Sequence, residues 1–186
     1  MKIKDTSRLK PLLRFLNKIK RDPPGDLQDI AVKASNKIWD GIDCLSCANC
    51  CKTMTPTYTD KDLKKIAVYL KMPLTEIKRK WLKKERGTGN WLNKTTPCQF
   101  LDLQTNLCSI YEVRPADCAG FPHLNKRRMV DYIHVHKQNL DECPATFKMV
   151  ERMNELIEKE NNNDKISGIK SKETRLRSKK TPALYL

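Results

Sequence analysis

The chain has 186 residues, enough for one domain with a modest hydrophobic core but not for two independent ones. Hydrophobic residues make up 39% and charged residues 32%, and no stretch approaches the roughly 18 consecutive apolar residues that a helical membrane span requires. The net charge of +15 sits mostly at the ends: residues 1–21 hold eight Lys and Arg against Asp5, residues 165–180 hold seven against Glu173, and residues 22–164 are left at +2. This distribution argues against a uniformly basic fold built around nucleic acid.

Leu9, Leu12, Leu13, Leu16 and Ile19 recur at helical spacing, with Ser7 able to cap the start and Pro11 tolerable in a first turn. The apolar stripe of this basic helix is expected to cover the core, while its Lys and Arg face leaves a membrane-surface reading open. After the turn Asp22-Pro23-Pro24-Gly25, Asp26 and Asp29 form a cap-like pair for a second helix carrying Leu27, Ile30, Ala31, Ala34 and Ile38 toward a cysteine run. Thr59 and Asp62 resemble a capping box ahead of Leu63, Ile66, Ala67 and Leu70, which predicts a third helix. Pro73 separates it from a fourth, whose apolar face is Leu74, Ile77, Trp81 and Leu82 and whose other side is Lys78, Arg79, Lys80, Lys83, Lys84 and Arg86. That charge reads as a solvated face, with nucleic-acid contact the lesser alternative.

From residue 87 to 125 the chain is loop-rich, punctuated by Gly87, Gly89, Pro97, Pro115, Gly120 and Pro122, and metal ligands often sit on such loops. Residues 129–136 alternate, with Val130, Tyr132, Ile133 and Val135 set against His134 and His136, and this predicts a short strand. Phe147, Val150, Met153 and Ile157 mark a closing helix that runs into Asn161-Asn162-Asn163-Asp164 and then a basic tail. The expected architecture is mainly α with a small β element, a single domain with a loop-rich, metal-tied centre. Its parts are a basic N-terminal helix or arm over 1–25, a cysteine-cluster metal-binding domain over 26–160 and a flexible basic tail over 161–186.

Four of the eight cysteines lie in the run Cys44-Leu45-Ser46-Cys47-Ala48-Asn49-Cys50-Cys51, and the others are Cys98, Cys108, Cys118 and Cys143. Thiolates are soft ligands, and the C-x2-C spacing lets two of them hold one ion across a tight turn, so the pattern points to bound metal. No apolar secretion signal is evident, so a cytoplasmic location with reduced thiols is expected; four disulfides and an organellar transit peptide are the alternatives. Eight thiolates suffice for two four-sulfur sites. Cys44, Cys47 and Cys50 have the C-x2-C-x2-C spacing of ferredoxin loops, with Cys143-Pro144 as the remote fourth ligand, which leaves Cys51, Cys98, Cys108 and Cys118 for a second site. Zinc and a 4Fe-4S cluster remain equally open. Lys52 and Arg114 are placed by sequence to offset thiolate charge, Arg114 having a surface pair with Glu112 or Asp117 as its alternative. Among the three histidines, His123 after Cys118-Ala119-Gly120-Phe121-Pro122 is the best further ligand.

The run Cys44-x2-Cys47-x2-Cys50-Cys51 is followed by Pro97-Cys98-Gln99-Phe100-Leu101, then Cys108-Ser109-Ile110-Tyr111-Glu112-Val113-Arg114-Pro115-x2-Cys118, Phe121-Pro122 and Cys143-Pro144. Over about residues 44 to 144 this resembles the YkgJ-type cysteine-cluster family, which is described as zinc- or iron-chelating. The resemblance implies metal binding at all eight cysteines. One departure is Ala48, where relatives commonly carry glycine, so the local turn is expected to differ. A flagellin lysine methylase carries a related cluster, which motivates an enzyme reading. There is, however, no G-x-G-x-x-G and no P-loop here.

Three functions follow in order. The first is a metal-chelating protein that binds zinc or an iron-sulfur cluster through its cysteines. The second is an iron-sulfur enzyme of redox or methyl-transfer type. The third is a metal-stapled nucleic-acid or ribosome-associated module whose basic termini make weak contact with nucleic acid or an anionic surface.

Overall fold

The computed structural model describes residues 6–178 other than Lys37, Asn125 and Arg127, with side chains described as far as Asn162. The first helix, α1 (Thr6–Arg21), turns Leu12, Phe15, Leu16 and Ile19 inward, the 3–4 residue spacing that places side chains on one helical face. Pro11 falls beyond the first turn, inside the helix. The stripe packs on the core, where α2 (Leu27–Ser35) adds Leu27, Ile30, Ala31 and Ala34. Asp26 precedes α2 as expected, but its side chain makes no capping hydrogen bond.

This first core is closed by the C-terminal helices. The sequence alternation over 129–136 is not a strand: Met129–Tyr132 is a 3-10 turn that leads into α8 (Ile133–Asn139). The buried positions Met129, Ile133, His136 and Leu140 lie four, three and four apart, which is helical spacing. The alternation misled because it assigned His136 to solvent, whereas the imidazole is fully buried. The last helix, α9 (Pro144–Ser178), buries Ala145, Phe147, Met149, Val150 and Met153 against α1 and α2. It continues through the polar stretch at 161–164. The remainder of the expected basic tail, side chains from residue 163 and everything from 179, lies outside the described residues.

His136 gives the first core a pH sensitivity. Neither ring nitrogen has a hydrogen-bond partner among the described residues, and burial holds its pKa down to about 4, with repulsion from His123 and His134 adding to it. The folded state therefore favours neutral imidazole. Its contribution is complete above the unfolded pKa of about 6.5 and is lost as pH falls toward 4, by up to about 3 kcal/mol. Urea midpoints measured between those pH values should drop in the parent and drop less in His136→Leu; parallel curves would refute this.

A second core holds Tyr58, Leu63, Ile66, Ile77, Leu82, Phe100 and Ile110. Its α5 (Asp60–Leu70) starts with the expected capping box, in which Thr59 Oγ1 accepts from the Asp62 N–H and Asp62 accepts from the Thr59 N–H. The next helix, α6 (Leu74–Trp81), is shorter than its apolar spacing suggests. Leu82 leaves it to begin β1 (Leu82–Lys84), which pairs antiparallel with β2 (Trp91–Asn93) in the register Leu82 to Asn93 and Lys84 to Trp91. Lys83 and Lys84 thus belong to a strand and not to a helix face. The cross-strand pairing satisfies backbone groups that a continued helix would have bonded internally. The expected small β element is present, but here and not at 129–136. Among the described residues no helix is long and apolar enough to cross a membrane.

Candidate metal centre

The cysteine run folds as two single turns, α3 (Cys44–Cys47) and α4 (Asn49–Thr53). Asp43 starts the first by accepting the Leu45 N–H at 2.9 Å. Ala48 ends α3 and begins α4 in the left-handed region, φ 46°, while almost fully buried. A β-carbon is disfavoured there by about 1 kcal/mol, and glycine is not. Ala48→Gly is accordingly expected to raise stability by up to about 1 kcal/mol, the lost methyl contact taking back part of the gain. A lower thermal midpoint for the variant would contradict this.

Backbone and side-chain bonds bring the later cysteines to this run. The Cys98 N–H donates to the Cys51 carbonyl at 2.8 Å. Cys108 returns beside it through the isolated bridge between Leu101 and Cys108, with the Ser109 N–H on the Phe100 carbonyl. Cys118 lies in α7 (Ala116–Gly120), whose first N–H donates to Asp62 Oδ1 at 3.1 Å, while Asp117 accepts the Thr57 N–H at 2.9 Å. At the other side, Asn49 Nδ2 donates to the Glu142 carbonyl at 2.6 Å, next to buried Cys143, whose own N–H bonds the Asn139 carbonyl. All eight thiols are free.

Electrostatics divides the sulfurs. Burial pushes the Cys118 thiol up, and so does negative charge on Cys51, Cys98, Asp117 and Cys108. Burial likewise raises Cys98, with Cys51 and Cys108 contributing, and raises Cys108, with Cys51 contributing. These four are mutual neighbours. Cys44 is raised by burial and then by Cys143 and Cys47. Cys50 links the groups: the hydrogen bond it shares with Cys51 is the largest influence raising it, and Cys118 and Cys143 also act on it. That bond, followed by the Lys52 ammonium, lowers Cys51. Among the described residues, however, no three His, Cys, Asp or Glu side chains close to ligating geometry. Repulsion is felt over several ångströms, whereas ligation needs about 2.3 Å from each sulfur to zinc. The sulfurs are neighbours rather than a closed ligand shell. The donor chemistry nevertheless fits a soft metal, since clustered thiols have few other ways to offset one another's ionisation.

Lys52 Nζ donates to the Cys47 carbonyl at 3.4 Å. Arg114 donates to the Tyr111 carbonyl at 2.7 Å and stacks over the Tyr111 ring, and its charge pulls Cys108 downward against burial. Its partner is therefore Tyr111, not Glu112 or Asp117. His123, at φ 64°, bonds Asp117 Oδ1 through Nε2 at 3.1 Å. The hydrogen bond from His123 is the leading cause of the lowered Asp117 pKa.

Six of the cysteines line one cleft of about 450 Å³, together with Tyr58, Arg114, Asp117, His123 and Asn139. Tyr58 donates its hydroxyl to Asn93 Oδ1 at 2.6 Å, and burial, then Cys98 and Cys118, raise its pKa. Sequence reasoning singled out neither Tyr58, Asn49 nor Asn139. Asn49 alone carried a local signal, lying between Cys47 and Cys50; the roles of the other two arise from contacts distant in the chain.

An uncharacterized protein of Methanocaldococcus jannaschii is 41% identical to this chain over 81 residues, 43% of each. The match therefore spans less than half the length of that relative. No solved structure matches the chain. The pattern of the family described as "Putative zinc- or iron-chelating domain" matches residues 43–144, from Asp43 through Pro144, and so includes all eight cysteines. With more than half of its length matched in this way, the chain belongs to the CxxCxxCC family.

Proposed function

We propose that the protein is a metal-chelating protein whose eight cysteines form two four-sulfur centres. One comprises Cys44, Cys47, Cys50 and Cys143, and the other Cys51, Cys98, Cys108 and Cys118. The observation that carries this reading is the mutual electrostatic influence within the second set, supported by the 2.8 Å backbone bond between Cys98 and Cys51. Lys52 and Arg114 would offset thiolate charge at their respective sulfurs, and Asp117 would hold His123 beside the cleft. Zinc and iron both satisfy this donor set. Elemental analysis of anaerobically purified protein, with labile sulfide and a visible spectrum, tests the reading. Zinc alone with no colour identifies closed structural sites, iron with equal sulfide identifies clusters, and a protein free of both metals refutes chelation.

A second reading, an iron-sulfur enzyme of redox or group-transfer type, draws on the cleft. Its volume of about 450 Å³ exceeds what metal ions need and reaches Tyr58, His123 and Asn139. Protein that contains zinc but neither iron nor labile sulfide would remove this second reading while leaving the first intact.

A further inference from the structure

The near-neutral average of residues 22–164 conceals a local excess. Residues 78–94 hold seven Lys and Arg against Glu85 alone, so they carry +6, and the rest of that span is acidic on balance. Had α6 continued, Lys83, Lys84 and Arg86 would have been distributed around a helix. Instead the chain turns at Leu82 and returns as β2, which sets Trp91 across from Lys84.

The consequence is an aromatic surface framed by cations. Lys78 Nζ lies 4.8 Å and Lys84 Nζ 5.5 Å from the centre of the Trp91 ring, and Lys80 Nζ lies 4.9 Å from that of Trp81. Lys94 Nζ reaches the Arg79 carbonyl and holds the end of β2 against α6. Trp91 is half-buried, packed on the second core by one part and open by another, while Arg79, Lys80, Lys83, Lys84 and Arg86 are exposed. Lys78 pairs with Asp60 at 3.5 Å, but those five exposed cations make no ion pair among the described residues. Glu85, the one acid within the segment, accepts a hydrogen bond from the Thr88 hydroxyl.

We propose that the α6–hairpin face, with Trp91 at its centre and Lys78, Lys80 and Lys84 around its two indoles, binds single-stranded nucleic acid. A base stacks on the indole, displacing a lysine that then meets the flanking phosphate. Any polyanion would satisfy the charge, but the indole set among ammonium groups favours a ligand that alternates flat π-faces with phosphates. The face adjoins the cysteine cleft, since the Tyr58 N–H from the cleft lining donates to the Trp91 carbonyl at 2.9 Å, but neither Trp91 nor its lysines line that cleft, and the proposal does not depend on which metal the cysteines hold.

The test uses the full chain with its native metal and a fluorescent oligouridylate of about 20 nucleotides, titrated by anisotropy from about 50 to 200 mM salt. Replacing Lys78, Lys80 and Lys84 together by alanine should weaken binding at least about tenfold. It should also flatten the slope of log affinity against log salt by about 2, from about 0.7 for each lost phosphate contact. Trp91→Leu should weaken binding by about tenfold and leave that slope unchanged, as expected for lost stacking. Metal content and far-UV circular dichroism equal to the parent's establish that the lysine variant is folded. A matched variant with Lys10, Lys18 and Lys20 of α1 replaced by alanine should bind like the parent. The proposal is overturned if the parent does not bind the oligonucleotide or if the α1 variant loses as much affinity as the hairpin variant. It is equally overturned if the parent binds phosphatidylserine vesicles but no oligonucleotide.

Discussion

Serine at Cys118 is expected to remove the metal of one centre and serine at Cys143 that of the other, each leaving about half the parent's content, while the double variant holds none. The asymmetry follows from the neighbours of each sulfur. Cys118 is influenced by Cys51, Cys98 and Cys108, whereas Cys143 acts on Cys44 and Cys50; Cys50, which Cys118 also influences, is the sulfur shared between the two neighbourhoods. Serine keeps the shape but is a far poorer ligand for a soft ion than thiolate, and a four-sulfur site with three sulfurs binds much more weakly. The energetic stake is large, since structural zinc in small domains contributes on the order of 10 kcal/mol of apparent binding free energy. A chelator added to the parent should therefore lower its thermal midpoint substantially. Metal analysis with far-UV circular dichroism on the two single variants reads the partition directly. If either single variant loses all of its metal while remaining folded, the sulfurs form one shared cluster and the two-centre assignment fails.

Replacing Asp62 by alanine should cost about 3 kcal/mol, the largest effect expected away from the cysteines. The buried carboxylate accepts from the Thr59 N–H at 3.0 Å, the Thr59 hydroxyl at 2.6 Å and the Ala116 N–H at 3.1 Å. It thereby caps α5 and fixes the start of α7, where Cys118 lies. Hydrogen bonds to an ionised group are worth about 1.5–3 kcal/mol each, and the alanine variant also leaves buried donors without acceptors. Burial by itself would raise the Asp62 pKa. The bonds from Thr59 and Ala116, with Lys65 nearby, overcome that and hold it below the ordinary carboxylate value. The folded state therefore favours the anion. Its stabilisation is complete above the unfolded carboxylate pKa of about 3.9 and is lost as pH falls through the lower folded value. Urea unfolding at neutral pH should show the full loss for Asp62→Ala and a smaller one for Asp62→Asn, which keeps an acceptor oxygen. A change below about 0.5 kcal/mol in the alanine variant would show that the capping box and the α7 start do not depend on this carboxylate.

The sequence alone determined the elements whose signals are local. The Thr59 and Asp62 capping box lies within four residues, and the α1 stripe from Leu12 to Ile19 repeats at a period that only a helix satisfies. The cysteine pattern was equally legible, because ligand type and spacing are written along the chain. Tertiary structure decided the rest. Leu82 sits where apolar spacing favours continuing α6, yet it pairs with Asn93, a residue no local window compares with it. His136 reads as polar and outward until the surrounding helices bury it, which turned an apparent strand into α8. Trp91 acquires its flanking ammonium groups only when the hairpin folds back on α6. Local backbone preference is a fraction of a kcal/mol per residue, and burial or pairing with a distant segment exceeds it. For that reason the candidate ligands could be read in order along the chain, but their neighbours could be assigned only in three dimensions.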